Sequence, residues 1–191
     1  VLKQHGFARD LPWRIELLGD QSGVMLTLQD SADTRRVYPF GFRIQMEIRP
    51  LRSALEIAIT ITNTSESESE PMPFSFGLHP YFNVSDLSHT AVEGLPERCF
   101  NHLEMAEAET EIQLSRLTRG VDFLTHSIGP VTLVDEQAGI RLQLQLQEPM
   151  DLSVVWTDPP REMVCLEPWT GPRQALISGD RKLELGVDES T

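Results

Sequence analysis

Three stretches of the chain alternate apolar and polar residues with a period of two, and this restricts the fold more than any other feature. Phe42, Ile44, Met46 and Ile48 alternate with Arg43, Gln45, Glu47 and Arg49. Leu55, Ile57, Ile59 and Ile61 alternate with Glu56, Ala58, Thr60 and Thr62, and Ile140, Leu142, Leu144 and Leu146 with Arg141, Gln143, Gln145 and Gln147. Successive side chains of a strand point to opposite faces, so such alternation buries one face and wets the other, as in antiparallel sheets. Shorter versions occur at residues 24–28, 152–156, 163–167 and 183–187. Gly19-Asp20, Pro50, Asp158-Pro159-Pro160, Gly171-Pro172 and Gly179-Asp180 supply turn chemistry between them. Only residues 103–117 offer a helix, and their apolar spacing fits a 3.6-residue period poorly. The pattern predicts an all-β chain, a β-sandwich or barrel occupying residues 1–191 as one domain, and disfavours a parallel α/β sheet.

With 40% hydrophobic and 24% charged residues among 191, the chain can bury a real core. Two cysteines, Cys99 and Cys165, cannot build a disulfide framework. No apolar run approaches the roughly 18 residues of a membrane span, and no signal peptide opens the sequence. A soluble, cytoplasmic protein is expected, with no membrane partner. The net charge of −13 argues against nucleic acid. The SESESE hexamer at residues 65–70 reads as a solvated loop. The sequence begins at Val1 and reaches a chemically rich segment within thirteen residues, so part of a longer chain is expected.

Four segments interrupt the strand pattern. HGFARDLPW opens with His5, which alone fits a capped turn. FSFGLHPYF carries His79 before a proline, which biases its backbone towards extended or turn conformations. That histidine, among aromatics, fits a core or turn role as well as a chemical one. In VCLEPWTGP, strand period sets Glu167 on the face of Met163 and Cys165. A carboxylate there is expensive to bury unless paired or protonated, and such settings suit acid/base work. A strand-end glutamate turned to solvent fits equally. In GVDFLT, Asp122 lies between apolar neighbours and reads most simply as a turn aspartate. No G-x-S-x-G elbow, phosphate loop, CxxC or H-E-x-x-H occurs. The five histidines lack close ligand spacing, so no structural zinc site is expected. Trp13, Trp156 and Trp169 are core anchors or sugar-stacking surfaces.

Taken in order, HGFARDLPW, FSFGLHPYFNV and MVCLEPWTGP resemble the galactose mutarotase-like (aldose 1-epimerase) family, and within it the glucose-6-phosphate 1-epimerase-like branch. The resemblance runs from His5 to about Leu185. It implies a large antiparallel β-sandwich, the galactose mutarotase-like supersandwich, without the N-terminal strands that family members carry before HGFAR. It also implies that His79 is the general acid at the ring oxygen and Glu167 the general base at the anomeric hydroxyl. His5 would hold the ring-oxygen side and Arg9 a 6-phosphate. Asp122 falls near a sugar-hydroxyl-binding aspartate, although VDFLT departs from the family's Asp-Arg-aromatic pattern. Trp169 and Trp156 would flank the sugar.

The resemblance thus implies a cofactor-free, metal-free isomerase interconverting the α and β anomers of a hexose or hexose 6-phosphate. The expected partner is the sugar or sugar phosphate, and the expected state a monomer or weak dimer. A sugar-binding β-sandwich module without turnover is the competing expectation, and a purely structural role a third. Only the first needs both an acid and a base.

Overall fold

Each long alternating stretch forms a strand; the first two keep the bounds of the alternation, while the third stops at Leu144, short of Leu146 and Gln147. In the computed structural model, residues 3–66, 70–127 and 129–191 are described, so residues 67–69 of the acidic hexamer lie outside the described residues. The chain divides into two compact units, Val1–Pro73 with Glu184–Thr191, and Phe74–Leu183.

In the first unit, β1 (Arg14–Leu17), β2 (Val24–Gln29), β3 (Phe42–Pro50) and β4 (Leu55–Asn63) form an antiparallel sheet in that order. A one-turn helix, α1 (Ala32–Arg35), sits between β2 and β3, its first turn closed by reciprocal hydrogen bonds between Ser31 and Thr34. Cross-strand register aligns Leu28, Ile44 and Ile61 on one face, where all three are buried. The same face continues through Val24, Leu26, Met46, Ile48, Ile57 and Ile59 to Ile15 and Leu17, none of which is buried. Asn63 is fully buried because its side chain works twice: Nδ2 donates to the Leu185 carbonyl (2.9 Å) and Oδ1 accepts from the Ser65 N–H (2.9 Å).

The chain leaves this unit along β5 (Met72–Phe74). The second unit holds β6 (Tyr81–Asn83), β7 (Thr90–Glu93), β8 (Arg98–Asn101) and β9 (Ala106–Glu109). It continues with α2 (Thr110–Leu114), β10 (Asp122–His126), β11 (Val131–Asp135), β12 (Ile140–Leu144), β13 (Leu152–Trp156), β14 (Met163–Trp169) and α3 (Ala175–Ser178). The chain returns along β15 (Leu183–Leu185), which pairs with β5.

Two sheets make this unit a sandwich: six strands in the order β6-β14-β13-β10-β8-β9, and three in the order β12-β11-β7. Val121, Phe123, Val155, Val164 and Leu166 of the larger sheet's region pack with Val92, Val131 and Leu133 of the smaller. Phe123, Val155 and Val164 are completely buried, each gaining roughly 1.5–3 kcal/mol from leaving water. The helix-like stretch at 103–117 resolves into β9 followed by only five helical residues, consistent with its poor periodicity.

Of the sandwich and barrel that the alternation allowed, the all-β antiparallel sandwich implied by the resemblance is the observed fold. Among the described residues, no helix is long and apolar enough to cross a membrane.

Candidate active site

The strand β14 is buried along both faces, and the two faces do different things. Val164 and Leu166 point into the core. Met163, Cys165, Glu167 and Trp169 therefore point to the opposite face. Register extends that face sideways: Tyr81 of β6, Cys165, Trp156 of β13 and Asp122 of β10 stand in one row across the sheet.

His79 reaches this face by the same register. Leu78 N–H donates to the Pro168 carbonyl (3.0 Å) and Thr170 N–H to the Phe76 carbonyl (2.9 Å), while Phe76 N–H is held by Thr170 Oγ1 (2.8 Å). These bonds lace the FSFGLHP segment along the end of β14. Gly77 bridges to Trp169, and further along Tyr81 pairs with Cys165. Continuing that register sets His79 opposite Glu167. Pro80, which has no N–H to donate, interrupts the ladder beside them. The result is a separation of 3.3 Å between His79 Nε2 and Glu167 Oε1.

Glu167 is 2% exposed and His79 30%, so the acid group is enclosed while the imidazole faces an opening. The second carboxylate oxygen of Glu167 accepts the indole N–H of Trp169 at 3.1 Å. Burial pushes the Glu167 carboxyl up to about 8; the Trp169 hydrogen bond opposes the rise, the Asp122 charge adds to it and the Arg173 charge opposes it. Burial and the neighbouring Glu167 push the Cys165 thiol up to about 12. Around the imidazole, the Tyr81 ring stacks in parallel (4.9 Å, 7°) and Trp156 meets it edge-on (5.8 Å, 87°). The Arg161 guanidinium lies 5.4 Å above the Trp156 ring.

Asp122 opens β10 on the same face, and both its oxygens are engaged. One accepts from His102 Nδ1 (2.7 Å) and the other from Arg173 Nη2 (2.6 Å). Burial alone would raise its carboxyl, but His102 and Arg173 outweigh that and hold it below the usual carboxylate range. An ionised carboxylate only accepts, so His102 carries its proton on Nδ1. The His102 ring also lies roughly parallel to Trp169 (6.3 Å, 25°). A chain of contacts thus runs from Arg173 through Asp122, His102 and Trp169 to Glu167.

The structure brings His79, Glu167, Trp156, Trp169 and Asp122 together within the second unit. His5 and Arg9 belong to the first. His5 takes a left-handed backbone (φ 64), and Arg9 lies in the exposed 3-10 turn Ala8–Asp10, 3.8 Å from Asp10. Between them Phe7 anchors the segment against Phe42 (ring centroids 5.5 Å apart). His102, Arg173 and Tyr81 escaped the sequence reading. Tyr81 sits inside the HPYF motif, but nothing in local spacing marks His102 or Arg173.

The family model for aldose 1-epimerases matches residues 1–181. The chain belongs to the aldose 1-epimerase family. A Salmonella typhimurium protein provisionally named glucose-6-phosphate 1-epimerase is 36% identical over 109 residues, 56% of this chain and 34% of that protein. A protein of the same provisional name from Escherichia coli is 33% identical over the same length. The matched region is thus about a third of these relatives' length. Among solved structures, the Slr1438 protein of Synechocystis sp. PCC 6803 superposes with a TM-score of 0.91 at 28% identity, over all of this chain and 66% of that one. A galactose mutarotase related enzyme from Lactobacillus acidophilus shares the fold (TM-score 0.79, 20% identity), over all of this chain and 71% of that one.

Proposed function

We propose that this chain carries the acid/base centre of a mutarotase, with His79 and Glu167 exchanging protons with an aldohexose or its 6-phosphate. The observation that carries the proposal is the 3.3 Å approach of His79 Nε2 to Glu167 Oε1 on an aromatic-walled sheet face. Opening a hemiacetal requires one proton taken from O1 and one delivered to O5 as the ring C–O bond breaks. The aldehyde then rotates about C1–C2 and recloses on its other face, with the two groups exchanging roles. Glu167 takes the proton from the anomeric hydroxyl and His79 delivers one to the ring oxygen as the C–O bond breaks. A carboxyl pushed up to about 8 lies within about two units of an imidazole's ordinary value of about 6.5, a match close enough to pass protons both ways. Trp156 and Tyr81 offer aromatic surface to the sugar's C–H face. Trp169 fixes which Glu167 oxygen remains available.

The test measures anomer exchange by polarimetry or NMR on glucose and glucose 6-phosphate. Glu167→Gln keeps the shape and removes the base, while His79→Asn removes the acid. Each is expected to lower kcat by roughly 10²-fold or more with a smaller change in KM. Near-normal exchange in either variant rejects the assignment, and sugar binding without any exchange favours a binding module. By resemblance Arg9 is assigned to the 6-phosphate, because a guanidinium grips phosphate oxygens bidentately. A preference for the phosphorylated sugar that disappears in Arg9→Ala is expected. Equal use of both sugars, unaltered in that variant, rejects it.

A further inference from the structure

We propose that His79, Cys165 and Glu167 form a site for a zinc-class divalent cation, and that the bound cation switches the proton-exchanging pair off. The inhibitory half rests on the mutarotase assignment above; the binding half does not.

The three side chains present one ligand atom each, an imidazole nitrogen, a thiol sulfur and a carboxylate oxygen, all within 4.8 Å of one another. Zinc takes nitrogen and oxygen ligands at about 2.0–2.1 Å, so tetrahedral angles set neighbouring N and O atoms roughly 3.3–3.4 Å apart. His79 Nε2 and Glu167 Oε1 already stand at 3.3 Å. A Zn–S bond of about 2.3 Å sets sulfur roughly 3.6 Å from the other two ligands, within reach of small side-chain rotations.

The backbone makes this convergence rigid. Cys165 and Glu167 are two residues apart on β14 and share a face, while His79 faces them across the register. The indole N–H of Trp169 holds the non-ligating oxygen of Glu167, the kind of outer contact that orients a metal ligand. Cys165 is completely buried and Glu167 nearly so, whereas His79 is partly open. Three protein ligands leave the fourth place of a tetrahedron to water, which the partly exposed His79 side admits.

The donor set decides which ion. Thiolate with imidazole favours zinc and discriminates against magnesium and calcium, which prefer all-oxygen shells. An ion on His79 Nε2 and Glu167 Oε1 occupies the two atoms that give and take the sugar's protons, so the bound cation blocks the exchange.

The test titrates the metal-free chain with Co²⁺, a spectroscopic stand-in, and with Zn²⁺ by calorimetry. One saturable site per chain is expected, with a thiolate-to-cobalt charge-transfer band that Zn²⁺ abolishes and Mg²⁺ does not. Cys165→Ser and Cys165→Ala should lose the band and bind Zn²⁺ roughly tenfold or more weakly. His126→Asn, which alters a surface His–Asp pair, should keep both. Folding of each variant is checked by circular dichroism, and the two cysteine replacements guard against loss of one. A cobalt complex without the band, or undiminished Zn²⁺ affinity in a folded cysteine variant, overturns the site. Anomer exchange is then followed with and without Zn²⁺, each protein against its own metal-free rate. Zinc bound at the site with exchange undiminished overturns the inhibitory half. If the metal-free chain shows no exchange at all, the mutarotase assignment fails, while the spectral and calorimetric results still decide the metal site.

Discussion

The orientation of Glu167 depends on Trp169, and Trp169 depends on the absence of a side chain at Gly77. A Cβ on Gly77 would come within 2.6 Å of Trp169 Cδ1, closer than any real contact allows. Gly77→Ala must therefore shift the indole or the backbone beside it, which disturbs the 3.1 Å hydrogen bond to Glu167. A bond to a charged or partly charged buried group contributes about 1.5–3 kcal/mol. Trp169→Phe, which keeps the ring and loses the N–H, is expected to lower kcat roughly tenfold or more, with Gly77→Ala at least as severe. Steady-state kinetics on both variants check this, and unchanged kcat in Trp169→Phe would show that the indole does not set the carboxylate. At this scale the sequence was informative where chemistry is local. Period two set Glu167 on the face of Cys165, and the proline beside His79 marked a break in the strand. His102 and Arg173 were illegible because they meet at Asp122 only through cross-strand register and the turn after β14, neither of which leaves a spacing in the chain.

Among the elements, β3, β4 and β13 were legible almost residue for residue, because β3 and β4 alternate apolar and polar residues along their length and β13 centres on the β-branched pair Val154-Val155. Strands β7, β8, β9 and β11 were not. They are four or five residues long, and β11 is buried on both faces, so no alternation survives to be read. What fixes the end of β11 is a polar device: Asp135 accepts the Ala138 N–H (3.0 Å) and the Ser85 N–H (2.7 Å). These backbone donors hold its carboxyl below the usual carboxylate range. A folded-state value below the unfolded one stabilises fully above the unfolded value, about 3.9, and the contribution is lost as pH falls through the folded value. Asp135→Asn should therefore lower Tm at neutral pH, with the gap to the parent chain closing in acid. Thermal unfolding followed from pH 7 downwards tests this; a gap that stays constant into acid would show that the carboxylate charge is irrelevant to the turn.

For the whole molecule, two surface properties act in opposite directions. The sheet of the first unit leaves Ile15, Leu17, Leu55 and Ile57 exposed at 66, 73, 60 and 38% on one apolar face. Its edge strand β1 is exposed at every residue, so its outer backbone groups are a template for another strand. Contiguous apolar surface beside an open edge favours self-association, and antiparallel pairing of two β1 edges would give a two-fold dimer. Against this stands the net charge of −13, which makes two copies repel. Salt separates the two effects. Screening shortens the reach of like-charge repulsion to about 8–10 Å at 0.1–0.15 M and leaves apolar burial intact. Association should therefore strengthen as ionic strength rises, the reverse of what ion-paired contacts would show. Light scattering across a concentration series at low and moderate salt is the measurement. Replacing Ile15 and Leu17 by lysine should suppress the association at both salts, because charge on the face and edge raises the cost of pairing. A chain that stays monomeric at every salt, or one whose association weakens as salt is added, would show that this face does not drive contact between copies.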